Sequence, residues 1–285
     1  MITRRTLAVL FLGVALSAQA PQRIVSTAPS ITELLYALGL GDRVVGVDRF
    51  SRYPPDALKK PRIGDYAAPN LEVIASLRPD LVMIPTNPVQ LRQRLEALKL
   101  RVLELNQEGI PALYESIRIV GQATGATTQA ARLTEQIRRD LEATRARSAK
   151  LPKTRILFVA GHTPQRLEGL IVAGGTSYLN EIIEIAGGEN IFRDAKAAYP
   201  TVSLEEILAR NPEVIIDMGE MADTAGVTET QKQSVQKLWT SMSSVAAVRS
   251  GRVHAVASDV FVIPGPRVTD AAVEFFKLLH PEVSR

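Results

Sequence analysis

The stretch NLEVIASLRPDLVMI, residues 70 to 84, decides how this chain folds, because SLEEILARNPEVIID, residues 203 to 217, says nearly the same thing again. Leu71 matches Leu204, Glu72 matches Glu205, Ile74 matches Ile207, Pro79 matches Pro212, Asp80 matches Glu213 and Val82 matches Ile215. Each copy reads as a helix followed by a strand. In the first, Asn70 is a suitable N-cap, Leu71, Ile74, Ala75 and Leu77 recur near helical spacing, Pro79 stops the helix, and DLVMIP is a short buried strand. In the second, Ser203 and Glu206 form an S-x-x-E capping box, Pro212 stops the helix, and EVIID is the strand.

The echo extends beyond this unit. ITELLYALGLGDRVVG (31 to 46) resembles LNEIIEIAGGENIFR (179 to 193), each an amphipathic helix closed by a glycine, Gly39 or Gly187. The strands RIVSTA (23 to 28) and RILFVA (155 to 160) precede them. Both halves therefore run strand, loop, helix, further chain, helix, strand, which predicts two Rossmann-like α/β lobes with mainly parallel sheets. Between them, TTQAARLTEQIRRDLEATRARSAKL (127 to 151) contains neither glycine nor proline and is rich in strong helix formers. A flexible linker would be rich in Gly and Ser, so one long helix joining the lobes is expected, with a cleft of nearly constant width between them. The expected divisions are a leader at 1–20, a first lobe at 21–121, the connecting helix at 122–151 and a second lobe at 152–285.

At 285 residues and 46% hydrophobic side chains the chain can bury a sizeable core. Its 34 basic and 30 acidic residues nearly balance, so no basic footprint points to nucleic acid. MITRRTLAVLFLGVALSAQA has the three regions of a secretory signal peptide: Arg4 and Arg5, the apolar run Leu7 to Leu16, and Ala18-Gln19-Ala20. The apolar run falls short of the about 20 residues a bilayer span needs. With no cysteine, neither a disulfide framework nor a lipidated N-terminal cysteine is available, and a free periplasmic protein is expected.

The combination of RIVSTAPSITELLYALG, GVDRFSRYPPDA, PNLEVIASLRPDLVMI, GGENIF and VSLEEILARNPEVII resembles the periplasmic substrate-binding proteins of the helix-hinged class, over nearly the whole chain after the leader. These serve importers of cobalamin, haem and ferric siderophores. The order and spacing of FSRYPP, NLE, GGENIF and YPTVS are most similar to the cobalamin-binding members. The resemblance implies a monomeric, non-enzymatic protein that holds a corrinoid between its lobes and delivers it to a membrane permease driven by an ATPase. It also implies that Glu72 and Glu205 form salt bridges with permease arginines. A plainer reading of both glutamates exists, since an acid in the first turn of a helix gains about 0.3–1 kcal/mol from the helix dipole alone.

Ligands of such lobes meet the loops at the carboxyl ends of the strands. Phe50, Tyr53, Tyr66, Tyr199 and Phe261 all fall in loops of this kind, although aromatic residues are sparse in the chain. By resemblance, Phe50, Tyr66 and Tyr199 are aromatic ligand contacts and Asp259 a polar one. Two departures stand out: Pro85 replaces an expected aromatic, and none occurs around Gln165 to Leu167. His162, just beyond RILFVA, is a further ligand candidate; the bland alternative is a polar surface residue. His254 and His280 do not join it in a recognisable metal set. Trp239 reads as packing, and AGGTS (173 to 177) as a tight turn, since it lacks both the P-loop lysine and the dinucleotide spacing.

Three other readings remain in view. A haem or ferric-siderophore binder would use the same cleft, with Arg49, Arg52 and Arg267 favouring an anionic siderophore. An exported two-lobed enzyme has against it the lack of a cysteine nucleophile, a G-x-S-x-G elbow or an H-E-x-x-H helix. A sensory domain would need the cleft but no permease.

Overall fold

The computed structural model describes residues 19–65, 67–86, 90–219 and 227–283; Tyr66 and residues 1–18 of the leader lie outside them. The first lobe runs β1 (Ile24–Ser26), α1 (Pro29–Ala37), β2 (Val44–Val47), α2 (Leu71–Ser76), β3 (Leu81–Pro85), α3 (Leu91–Ala97), β4 (Val102–Leu105) and α4 (Gly109–Thr124). Its strands lie in the order β2-β1-β3-β4, parallel throughout. After α5 (Thr127–Ser148) the second lobe runs β5 (Thr154–Gly161), β6 (Leu170–Val172), α6 (Tyr178–Ile185), β7 (Gly188–Asn190), β8 (Thr201–Val202), α7 (Leu204–Arg210), β9 (Val214–Asp217), α8 (Glu229–Leu238), α9 (Ala246–Arg249), β10 (Val253–Ala255) and α10 (Val268–Leu279). Its sheet has the order β10-β9-β5-β6-β8, with β7 also against β5. Here β5, β7, β9 and β10 are parallel, whereas β6 runs antiparallel to β5 and β8. The segment 162–169 between β5 and β6 is too short for a helical crossover, so the chain turns back on itself.

The repeated unit folds alike in both lobes. Asn70 Oδ1 accepts the backbone N–H groups of Glu72 and Val73, and Ser203 makes the expected capping box with Glu206. In both copies the residue just before the proline, Arg78 (φ 47) or Asn211 (φ 44), has left the helix for the left-handed region. The matched acids have a shared structural task. Asp80 accepts the Arg23 N–H at 2.9 Å and Glu213 accepts the Arg155 N–H at 2.8 Å, tying the start of each repeated strand to the first strand of its own lobe.

A long helix joins the lobes but is shorter than the expected 122–151: it runs from Thr127 to Ser148, and residues 122–124 belong to α4, because Gly125 in the left-handed region ends that helix before α5 begins. Ala130, Ile137, Leu141, Thr144 and Ser148 make one buried stripe along it, facing α4, α6 and α10. The corner between α4 and α5 turns at Gly125 (φ 75), and a Cβ on Gly121 would lie 2.5 Å from that of Ala130. A single hydrophobic cluster continues from Ile24, Leu35 and Met83 of the first lobe through Ile137 and Leu141 into Phe158, Ile182 and Phe275 of the second. The lobes thus share a core beside α5. Smaller clusters fill the outer layers, one around Ile74 and Val82, the other around Leu157 and Trp239. In the AGGTS turn, a Cβ on Gly174 or Gly175 would run into the carbonyl oxygens of Ala197 and Arg193, and Ser177 caps α6.

Candidate functional site

The loop after β2 is held from below by a buried polar chain. Asp48 accepts the Phe50 N–H at 2.9 Å and the Ser51 hydroxyl; Ser51 and Thr32 are 2.7 Å apart; Thr32 donates to Ser26 at 2.8 Å. Arg62 closes the loop by donating to the carbonyls of Asp48 and Ser51. Burial raises the Asp48 pKa, against the hydrogen bond from Ser51 that lowers it. The network fixes where Phe50 stands, half-buried with the Arg49 guanidinium 4.4 Å from its ring centroid. Tyr53, three residues on, is 45% exposed.

Facing this loop is a cluster assembled from both lobes. Arg267, just ahead of α10, pairs with Glu33 of α1 and donates to Asp259 at 3.0 Å, while its guanidinium lies 4.1 Å from the centroid of the Tyr53 ring. Glu33 is 3% exposed, and burial pushes its pKa up to about 7, with Arg267 acting in the opposite sense. Burial also works against the charge on Arg267, but its two carboxylate partners hold the guanidinium above its usual range. Tyr178 is buried beside the cluster and donates its hydroxyl to the Phe261 carbonyl at 2.5 Å.

Tyr199 is 44% exposed, and desolvation pushes its hydroxyl up to about 12. The structure therefore gathers Glu33, Tyr53, Asp259 and Arg267 at one place, with Phe50 on the same loop as Tyr53. Sequence reasoning missed Glu33. Its signal was a charged residue inside the buried face of α1, between Thr32 and Leu34.

His162 is different from expectation. Its side chain is completely buried, with Nε2 3.5 Å from Asp217, whose carboxylate also accepts the Trp239 indole N–H at 2.7 Å and the Gly219 N–H at 2.6 Å. A Cβ on Gly219 would collide with the imidazole, so the ring fills the space that glycine leaves. The imidazole is thus packed beside Asp217, and His162 is not a polar surface residue. Trp239 packs, as expected, and is fully buried. Pro85 is buried at the end of β3, and Leu167 packs on the outer core of the second lobe. Among the described residues no three His, Asp or Glu side chains gather to hold a metal.

Glu72 and Glu205 stand exposed in the first turns of α2 and α7. Neither carboxylate has an ion-pair partner among the described residues, and the cap of α7 is made by Glu206 instead. Glu72 borders a hollow with Arg94 and Leu98, and Leu208, one turn beyond Glu205, is 43% exposed. Among the described residues no helix is long and apolar enough to cross a membrane.

Comparison with known proteins places this geometry. The family model described as periplasmic binding protein matches residues 24–260. The chain is 31% identical over 271 residues to a vitamin B12-binding protein of Yersinia pestis, covering 94% of this chain and 90% of the other. Among solved structures, the periplasmic vitamin B12 binding protein BtuF of Vibrio cholerae superposes with a TM-score of 0.75 at 25% identity, over 93% of this chain and 99% of that one. The periplasmic heme-binding protein RhuT of Roseiflexus sp. RS-1 gives 0.75 at 27% identity, over 90% and 99% of the two chains.

Proposed function

We propose that this chain, which belongs to the periplasmic binding protein family, captures a bulky metal chelate in the cleft between its lobes, a corrinoid such as cobalamin, and hands it to an ABC import permease and its ATPase. The leader at 1–20 directs export to the periplasm in this reading. The observation that carries the ligand class is the state of Arg267. A guanidinium shared between Glu33 and Asp259 and laid over Tyr53 offers no free positive charge to an anionic chelate. What remains for a ligand is aromatic surface at Phe50 and Tyr199 with polar groups at its margin and an exposed cation, Arg49, 4.0 Å from Asp65, a mixture that suits a broad ring carrying neutral amides.

Haem is the second reading, favoured by the likeness to a heme-binding structure. The candidates for an axial ligand are Tyr66, which lies outside the described residues, and His162, whose side chain is buried beside Asp217; the raised pKa of Tyr199 disfavours its phenolate. Isothermal titration of the purified protein with cyanocobalamin, cobinamide, haem and ferrichrome decides between them. The corrinoids should bind most tightly. Heat from haem or ferrichrome with none from either corrinoid would overturn the ligand while leaving the family unaffected.

A further inference from the structure

Glu33 and Glu181 occupy the same position in the two repeats: set without a gap, ITELLYALG (31 to 39) and LNEIIEIAG (179 to 187) place one glutamate opposite the other. Each reaches into the opposite lobe. Glu33, on α1 of the first lobe, takes the Arg267 guanidinium, and a Cβ on Gly265 would lie 3.0 Å from its Oε2. Glu181, in the first turn of α6 of the second lobe, accepts the Ile110 N–H at 3.4 Å at the start of α4. Gly109 (φ +84) leaves room for that carboxylate, since a Cβ there would meet Oε1.

The plain alternative is that each acid serves only its own lobe. The dipole of α6 alone accounts for an acid at its first turn, yet it does not account for a carboxylate that accepts the Ile110 N–H in the first turn of a second helix. For Glu33 the plain reading fails outright. It lies 3% exposed in the middle of an apolar helix face, a costly place for a carboxylate, and its ion-pair partner is across the seam.

We propose that Glu33 and Glu181 are paired positioning residues, one sent by each repeat across the seam, which together set the separation of the lobes and so the width of the cleft. A lone connecting helix leaves the lobes able to rock about its ends. Two crossed contacts, joined to the shared core beside α5, remove that freedom. The inference does not depend on which ligand the cleft takes.

The absence of cysteine makes a direct test available. Spin labels on Q93C of α3 and Q233C of α8, both exposed, report the lobe-to-lobe distance by double electron–electron resonance without ligand. E33A/E181A should broaden and lengthen the narrow parental distribution, whereas E33Q/E181Q, which can still accept both hydrogen bonds, should stay near it. Hydrogen exchange at the Ile110 amide should quicken severalfold in E33A, although Glu33 does not touch that amide, because the seam loosens as one. An Ala pair with the parental distribution, a Gln pair as broad as the Ala pair, or an unchanged Ile110 amide in E33A would each overturn the proposal. Should the Ala pair fail to fold, E181A alone, at a half-buried site, carries the distance measurement with the same two outcomes.

Discussion

The Arg267 guanidinium lies over the Tyr53 ring, 4.1 Å from its centroid, and so joins the chain just ahead of the last helix to the loop that carries Phe50. It also neutralises Glu33, the most deeply buried charge at the seam. Arg267→Met keeps most of the volume and stem packing but leaves Glu33 without its cation. Urea unfolding at about pH 8 should show a loss of about 3–5 kcal/mol, the usual result of breaking a buried pair. Near pH 5 the loss should shrink, because Glu33 then takes up a proton. An equal loss at both pH values would show that packing, not charge, was removed.

The pH dependence of stability follows from Glu33 in a definite direction. Its folded pKa of about 7 lies above its ordinary 4.5, so the folded state binds the extra proton between those values. That contribution is fully present below about pH 4.5 and is lost as pH rises through about 7. Its size is at most about 3 kcal/mol. Arg267, Asp259 and Asp270 are the charged groups facing Glu33, with Tyr178 close by. His254 and His280, whose pKa values burial lowers, act with the opposite sign, so the informative quantity is wild type minus Glu33→Gln. This difference should fall with rising pH across that window. A flat difference would place Glu33 in solvent.

Tyr199 should contribute to ligand affinity and little to stability, being 44% exposed. Calorimetry with the tightest-binding corrinoid should show Tyr199→Ala weaker by about 1–3 kcal/mol, the loss typical of one aromatic contact. Unaltered affinity would remove it from the binding surface.

Docking separates from binding at Glu72 and Glu205. Both carboxylates are exposed and lack ion pairs among the described residues, so changing the two together to alanine should leave ligand affinity and melting temperature close to wild type. The same protein should no longer stimulate the ATPase of its cognate permease in liposomes. Normal stimulation would assign the repeated glutamates to helix dipoles alone.

The architecture was legible because its signals are local. Asn70, Ser203, Pro79 and Pro212 announce the repeated helix–strand unit, and a run without glycine or proline announces α5. Such features act within a few residues of themselves, through capping hydrogen bonds, fixed φ angles and side-chain periodicity, so a repeat in the letters becomes a repeat in the fold. The aromatic content of the loops beyond the strands was equally visible. Even so, sequence patterning failed to show β6 and β8 running antiparallel in the second sheet, which depends on a short return after β5.

Tertiary structure alone decided the chemistry at the seam. Glu33 and Arg267 are 234 residues apart in the chain, and nothing near either one signals the other. The sequence offered Arg267 as a cation for an anionic ligand, but folding gives it to Glu33 and Asp259. In the letters His162 is a histidine in a loop, and folding buries its side chain beside Asp217, where Gly219 leaves room for the ring. Local hydrogen bonding and periodicity are written along one segment of chain, whereas burial, charge pairing and pKa arise only when distant segments exclude water from one another.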